Sequence, residues 1–178
     1  MKKASVLLLF TFFFTATSFS QKAQFPIVKS FGGIYAIEDA INPDPNSKYK
    51  IVIDLKTLQR DKESLNPGLN NVARMMNLHG LGGVKPGSLD VSVVIHGGAT
   101  DVVLDNDAYQ QRYELDNPNL ELIDVLKASG VEIYVCGQSL LSRNYARKSV
   151  NSEIEVSLSM LTVFTTHMHN GYVPLVFD

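Results

Sequence analysis

Short runs rich in β-branched and aliphatic residues recur along this chain with stretches of helical periodicity between them, and that alternation restricts the fold more than any other feature. "YKIVIDL" at residues 49–55 suits a buried strand. Leu65, Leu69, Val72 and Met76 then recur at helical spacing, which predicts a helix over residues 66–78 with Gly80 as its stop. "LDVSVVIH" at residues 89–96 reads as a second strand, closed by Gly97 and Gly98. A stretch rich in Asp, Asn and Gln follows, read as a short helix plus loop. Asn117-Pro118 opens another helix as cap and first residue, Leu122, Val125 and Leu126 share its face, and Ser129-Gly130 closes it. The third strand covers residues 131–135. A short helical segment comes after Cys136, a strand is expected within residues 153–158, and a helix then runs to about Asn170 before Gly171. "YVPLVF" at residues 172–177 is the last strand, placed at an edge because Pro174 has no N–H to give a ladder. Strands separated by helices argue for a parallel sheet covered on both faces. The expectation is an α/β, flavodoxin-like three-layer sandwich over residues 49–178, with a mostly parallel sheet of about five strands.

What precedes that domain divides in two. Residues 1–20, "MKKASVLLLFTFFFTATSFS", show two lysines, an apolar stretch and a small-residue exit, the layout of a secretory signal peptide. The apolar stretch is shorter than the roughly 20 residues of a spanning helix, and cleavage is expected before Gln21, with Ser18 as the alternative. No cysteine follows it, which excludes a lipid anchor built on one. The expected mature protein is exported, periplasmic or secreted, without membrane contact. Losing two lysines and no acids moves the formal charge from −2 to −4, which leaves no electrostatic footprint for nucleic acid. Residues 21–48 form an N-terminal extension broken by the loop-forming "NPDPNS". Its Ile34, Tyr35 and Ile37 lie either against the core or against a neighbouring subunit.

Chemistry is expected outside the carboxyl ends of the strands, where open α/β sheets bind their ligands. His96 closes the second strand and Cys136, the only cysteine, closes the third. With the first strand between these two, their backbones would stand two strand spacings apart, about 10 Å. Cys136 precedes a helix whose unpaired N–H groups favour a thiolate, Gly137 lets a substrate approach the backbone, and Lys56 would depress the thiol pKa further if it reached the cleft. His96 is a candidate base or donor, and Gly97 and Gly98 are candidates to aim N–H groups at an anion. The plainer readings are a small buried cysteine at a strand end and a histidine held by backbone at a glycine turn. His167 and His169 face different sides of a helix, His79 suits a helix end, and no histidine spacing matches a zinc site, so no metal is expected. Phosphate-binding glycine loops and the G-x-S-x-G elbow are missing, and no cofactor is expected. The acidic stretch over residues 101–116, with Tyr109 and Tyr113, is a lid, an oligomer contact or a solvated surface segment.

From residue 49 to residue 178 the chain resembles the DsrE/DsrF-like sulfur-relay family. The matching pieces are "YKIVIDL", "VVIHGGA" with His96, "LKASGVEIYVCGQSL" with Cys136, and the closing helix before "GYVPLVF". The resemblance implies a flavodoxin-like subunit assembled into homo-oligomers, commonly trimers or hexamers, whose Cys136 carries sulfur as a persulfide. Its partners would be a sulfur donor and a sulfur acceptor: thiols, polysulfide or a partner protein. Arg143 falls at a spacing similar to a basic position in some members, to hold an anionic substrate or only the fold. Relay members work in the cytoplasm, and the export signal here is a departure that argues against a role in tRNA modification.

Overall fold

The computed structural model describes residues 21–178, so the signal-peptide expectation lies outside the described residues. Five strands, Tyr49–Leu55 (β1), Leu89–Ile95 (β2), Glu132–Cys136 (β3), Glu155–Ser157 (β4) and Val173–Phe177 (β5), form one sheet in the order β4-β3-β2-β1-β5. Every pairing is parallel, with Leu55, Ile95 and Val135 in register across the centre. The helices are Pro67–Leu81 (α1), Asn106–Tyr113 (α2), Leu120–Ala128 (α3), Gly137–Ser142 (α4) and Met160–His169 (α5). This is the α/β, flavodoxin-like architecture read from the sequence, with Pro174 on an edge strand as expected.

Alternation along each strand separates two faces. Ile51, Ile53, Leu55, Val91, Val93, Ile95, Ile133 and Val135 join Leu69, Val72 and Met76 of α1 and Leu122, Ile123 and Leu126 of α3 in the main core. Burial of such side chains stabilises the fold by roughly 1.5–3 kcal/mol each. The other face carries Val52 and Val94, both buried, and α5 crosses it over β1 and β2. None of the residues of α5 is itself buried.

Helix boundaries follow side-chain capping. Asn66 accepts the Leu69 N–H at 3.0 Å and Pro67 occupies the first turn. The helix passes the expected stop at Gly80 and ends at Leu81, where Gly82 N–H bonds back to the Leu78 carbonyl. The third helix begins at Leu120, not at Pro118, because Asn117 is spent elsewhere: its amide donates to the Val102 and Leu104 carbonyls at 3.0 and 2.7 Å, and its oxygen accepts the Asn119 N–H.

The N-terminal extension is part of this unit. Val28 and Ile34 are buried, whereas Tyr35 and Ile37 are exposed. The buried Asn77 of α1 accepts the Ile27 and Val28 N–H groups at 2.9 and 2.8 Å and donates to the Val28, Phe31 and Gly32 carbonyls. Gly32, at φ +60°, lies so close to α1 that a Cβ would come 2.2 Å from the Arg74 nitrogen.

Candidate functional site

The strand order corrects the expected separation of the two candidate residues. β2 lies beside β3, and β1 lies on its far side, so His96 and Cys136 stand one strand spacing apart, about 4.8 Å. Both follow the Ile95–Val135 pair and so share the face opposite the main core.

Cys136 ends β3 and is the N-cap of α4. Gly137 follows because β4 runs close: a Cβ there would stand 2.7 Å from the Ser157 carbonyl oxygen. The residue is 4% exposed. Burial pushes the thiol pKa up, but N–H donors from Met160, Ser139 and Gln138 and the Ser139 hydroxyl outweigh it, and the net direction is down. Met160 is the first residue of α5 and Ser139 lies in the first turn of α4, so two helix starts converge on one sulfur. The sequence reading anticipated α4 but missed the α5 contribution, which comes from 24 positions downstream of the cysteine (160 − 136) and has no local signature.

Ser139 also joins the two strand ends, its Oγ accepting the Gly97 N–H at 3.3 Å. The Gly97 N–H, at a residue with φ +52°, thus already has a protein acceptor. Gly98 packs on the exit of β1, where a Cβ would meet the Lys56 carbonyl oxygen at 2.9 Å. His96 points its Nε2 at Asp54 Oδ1, 2.5 Å away, both side chains being mostly buried.

Lys56 does not serve the thiol. It leaves β1 with β2 between it and β3, and its ammonium stands 3.6 Å from Asp178. Arg143 reaches a buried carboxylate instead, its Nη1 3.5 Å from Asp101 Oδ1. That carboxylate, expected in a solvated or lid-like stretch, is buried: Lys62 donates to it at 2.7 Å and the Tyr113 and Tyr145 hydroxyls at 2.6 Å each. Burial raises its pKa, the donors lower it, and it lies below the ordinary carboxylate range. Tyr109 is also fully buried, so the first part of the acidic stretch packs inward, whereas Asp107, Glu114 and Asp116 are exposed.

A hollow of about 270 Å³ opens beside Gly137, walled by Leu141, Tyr145, Arg147, Val156 and Leu158. A larger one, about 520 Å³, lies at the β1 exit between the 57–65 loop and Asp178, with neither Cys136 nor His96 in its wall. Among the described residues no group of three His, Cys, Asp or Glu side chains is placed to hold a metal ion. His79 and His167 instead bond back to the Met75 and Val163 carbonyls of their own helices, at 2.9 and 2.8 Å. No helix of the described residues is long and apolar enough to cross a membrane.

The family model described as DsrE/DsrF-like family matches residues 38–177. No curated protein matches. Among solved structures, the protein of unknown function MTH1491 from Methanobacterium thermoautotrophicum is similar at 14% identity and a TM-score of 0.55, over 72% of this chain and 99% of that one. The ychN protein from E. coli is similar at 18% identity and a TM-score of 0.53, over the same 72% and 99%. At these identities the likeness is one of fold.

Proposed function

The chain belongs to the DsrE/DsrF-like family, and on that premise we propose that it is an exported, homo-oligomeric sulfur carrier whose Cys136 accepts sulfane sulfur as a persulfide and passes it on. One observation carries the reading: the only cysteine sits at the starts of two helices and beside a serine hydroxyl, which together lower its thiol pKa despite its burial. The step balances without a redox partner. Cys136–S⁻ attacks the outer sulfur of R–S–SH, the new S–S bond forms, the old one breaks, and R–S⁻ leaves with the electron pair and takes a proton. A second thiolate attacking the outer sulfur of Cys136–S–SH hands the cargo on. His96, one strand away, is the proton-handling group. Donor and acceptor are thiols, polysulfide or a partner protein. Export rests on the signal-peptide layout of residues 1–20, and the expected assembly is a trimer or hexamer.

The test is the intact mass of the mature protein after exposure to polysulfide, with and without reductant, beside Cys136→Ser. A reducible gain of one sulfur on the native protein alone is the expected result; equal loading of the serine variant would sink the proposal. The near-closure of the thiol supports a second reading, a non-catalytic assembly module of the same fold. That reading requires no sulfur gain and alkylation that stays slow at every pH.

A further inference from the structure

The pairing of His96 with Asp54 across β1 and β2 was not visible in the sequence, and it determines which imidazole nitrogen is available for chemistry. We propose that Asp54 is a positioning residue that holds His96 as the Nε2–H tautomer, leaving Nδ1 as the atom that takes and returns a proton beside Cys136; the proposal rests on the persulfide reading above. The geometry that carries it is the Asp54 Oδ1 to His96 Nε2 contact of 2.5 Å between side chains 13% and 17% exposed. An ionised carboxylate only accepts, so the facing nitrogen must carry the hydrogen, and in a neutral ring the other nitrogen is then an acceptor. His96 Nδ1 has no hydrogen-bond partner among the described residues, and it is not among their buried unpartnered atoms, which leaves it in reach of solvent or substrate.

The surroundings isolate this pair. The His96 ring is bonded to Asp54 from β1, and Cys136 ends the neighbouring β3; Lys56, which follows β1, is turned to Asp178. Residues 137–142 of α4 and 160–166 of α5 contain no titratable side chain. Asp101, in the turn after His96, is already satisfied by Lys62, Tyr113 and Tyr145. Asp54 is thus the one carboxylate bonded to the ring among the described residues. In the transfer step the proton on Nδ1 of the imidazolium goes to the departing R–S⁻, which leaves as R–SH. The neutral ring keeps its Nε2–H on Asp54, and Nδ1 regains a proton from the next incoming thiol as that thiol becomes the attacking thiolate.

Nitrogen NMR of the histidine rings, recorded at a pH where the ring is neutral, tests the first half on the native protein without any variant: His96 is expected as the Nε2–H tautomer, and an Nδ1–H tautomer would overturn the proposal. Asp54→Asn then replaces the acceptor by a near-isostere and is expected to lose that tautomer preference. Sulfur transfer from a small-molecule persulfide, followed by mass against pH, should slow about ten- to a hundredfold in Asp54→Asn and in His96→Gln. It should slow no further in the double variant, because both changes remove one function. The limb of the native pH profile that depends on the imidazole should vanish in His96→Gln and shift in Asp54→Asn, an effect that mere loosening of the fold does not produce. An unchanged profile in Asp54→Asn, or losses that add in the double variant, would overturn the proposal. If the native protein takes up no sulfur, the persulfide reading fails by itself, and the ring tautomer in native and Asp54→Asn protein still decides whether Asp54 governs His96.

Discussion

At the scale of single residues, the thiol at Cys136 is an outcome of opposing effects that can be separated by substitution. Burial disfavours its charge, and the donors from Met160, Ser139 and Gln138 restore it. Ser139→Ala removes one donor and the link to Gly97 while leaving the backbone N–H groups in place. The midpoint of alkylation rate against pH should lie below that of a free cysteine in the native protein and move upward in Ser139→Ala, with the rate at neutral pH falling about three- to tenfold. A thiol pKa lowered by folding contributes stability above the unfolded value, and that contribution is lost as pH falls through the folded value. The stability difference between native protein and Cys136→Ser, read from denaturant midpoints, should therefore narrow from alkaline to neutral pH. A midpoint at or above that of free cysteine would show that burial wins, and would favour the inert assembly module. Position and uniqueness singled out Cys136 in the sequence, and the strand end singled out His96. Asp54 was legible as a residue at the end of the first strand and Ser139 as part of the turn after Cys136, but the pairing of Asp54 with His96 and the approach of Met160 depend on the lateral order of strands and the path of α5.

At the scale of elements, the pieces were legible and their arrangement was not. The β-branched runs at Tyr49–Leu55 and Leu89–Ile95 declare themselves because a strand buried on both faces has no room for polar alternation. Nothing in those runs records which strand lies between which, so β2 rather than β1 stands beside β3. The acidic stretch misled for a related reason: Asp101 looks solvated in sequence, yet Lys62, Arg143 and two tyrosines from three other segments enclose it. Because its carboxylate is held below the ordinary range, its contribution is present above that range and is lost as pH falls through the folded value. Asp101→Asn should cost about 3 kcal/mol near neutral pH and flatten the acid limb of stability, measured by urea unfolding from pH 7 to pH 3. A cost below about 0.5 kcal/mol would mean that the ring of donors repacks without its anion. The N-terminal strap gives a parallel case. Asn77→Ala leaves the Ile27 and Val28 N–H groups without acceptors and should cost about 3 kcal/mol, with faster proteolytic clipping within residues 21–48.

At the scale of the whole molecule, the two faces of the sheet are unequally covered. α1, α3 and the strap close one face, whereas the other has only α5, which buries none of its residues and turns Leu161 and Met168 outward. Leu158 before that helix and Val176 of β5, in register with Asp54, are exposed as well. Such a surface suits the homo-oligomer proposed for this chain. An assembly built on that surface would lie next to the chemistry, since the Met160 N–H at the start of α5 is among the groups that lower the Cys136 thiol pKa. A subunit contact that clamps α5 would hold that donor in place, and its loss would let the helix start move away from the thiol. Leu161→Glu puts a charge on the exposed side of α5 without touching the core. It should convert the assembly to monomers in sedimentation equilibrium, keep the far-ultraviolet spectrum, and raise the alkylation midpoint of Cys136. A native protein that sediments as a monomer at micromolar concentration would remove the oligomer from the proposal. Dissociation with an unchanged thiol would show instead that α5 holds its donor unaided, and that assembly and sulfur chemistry are independent.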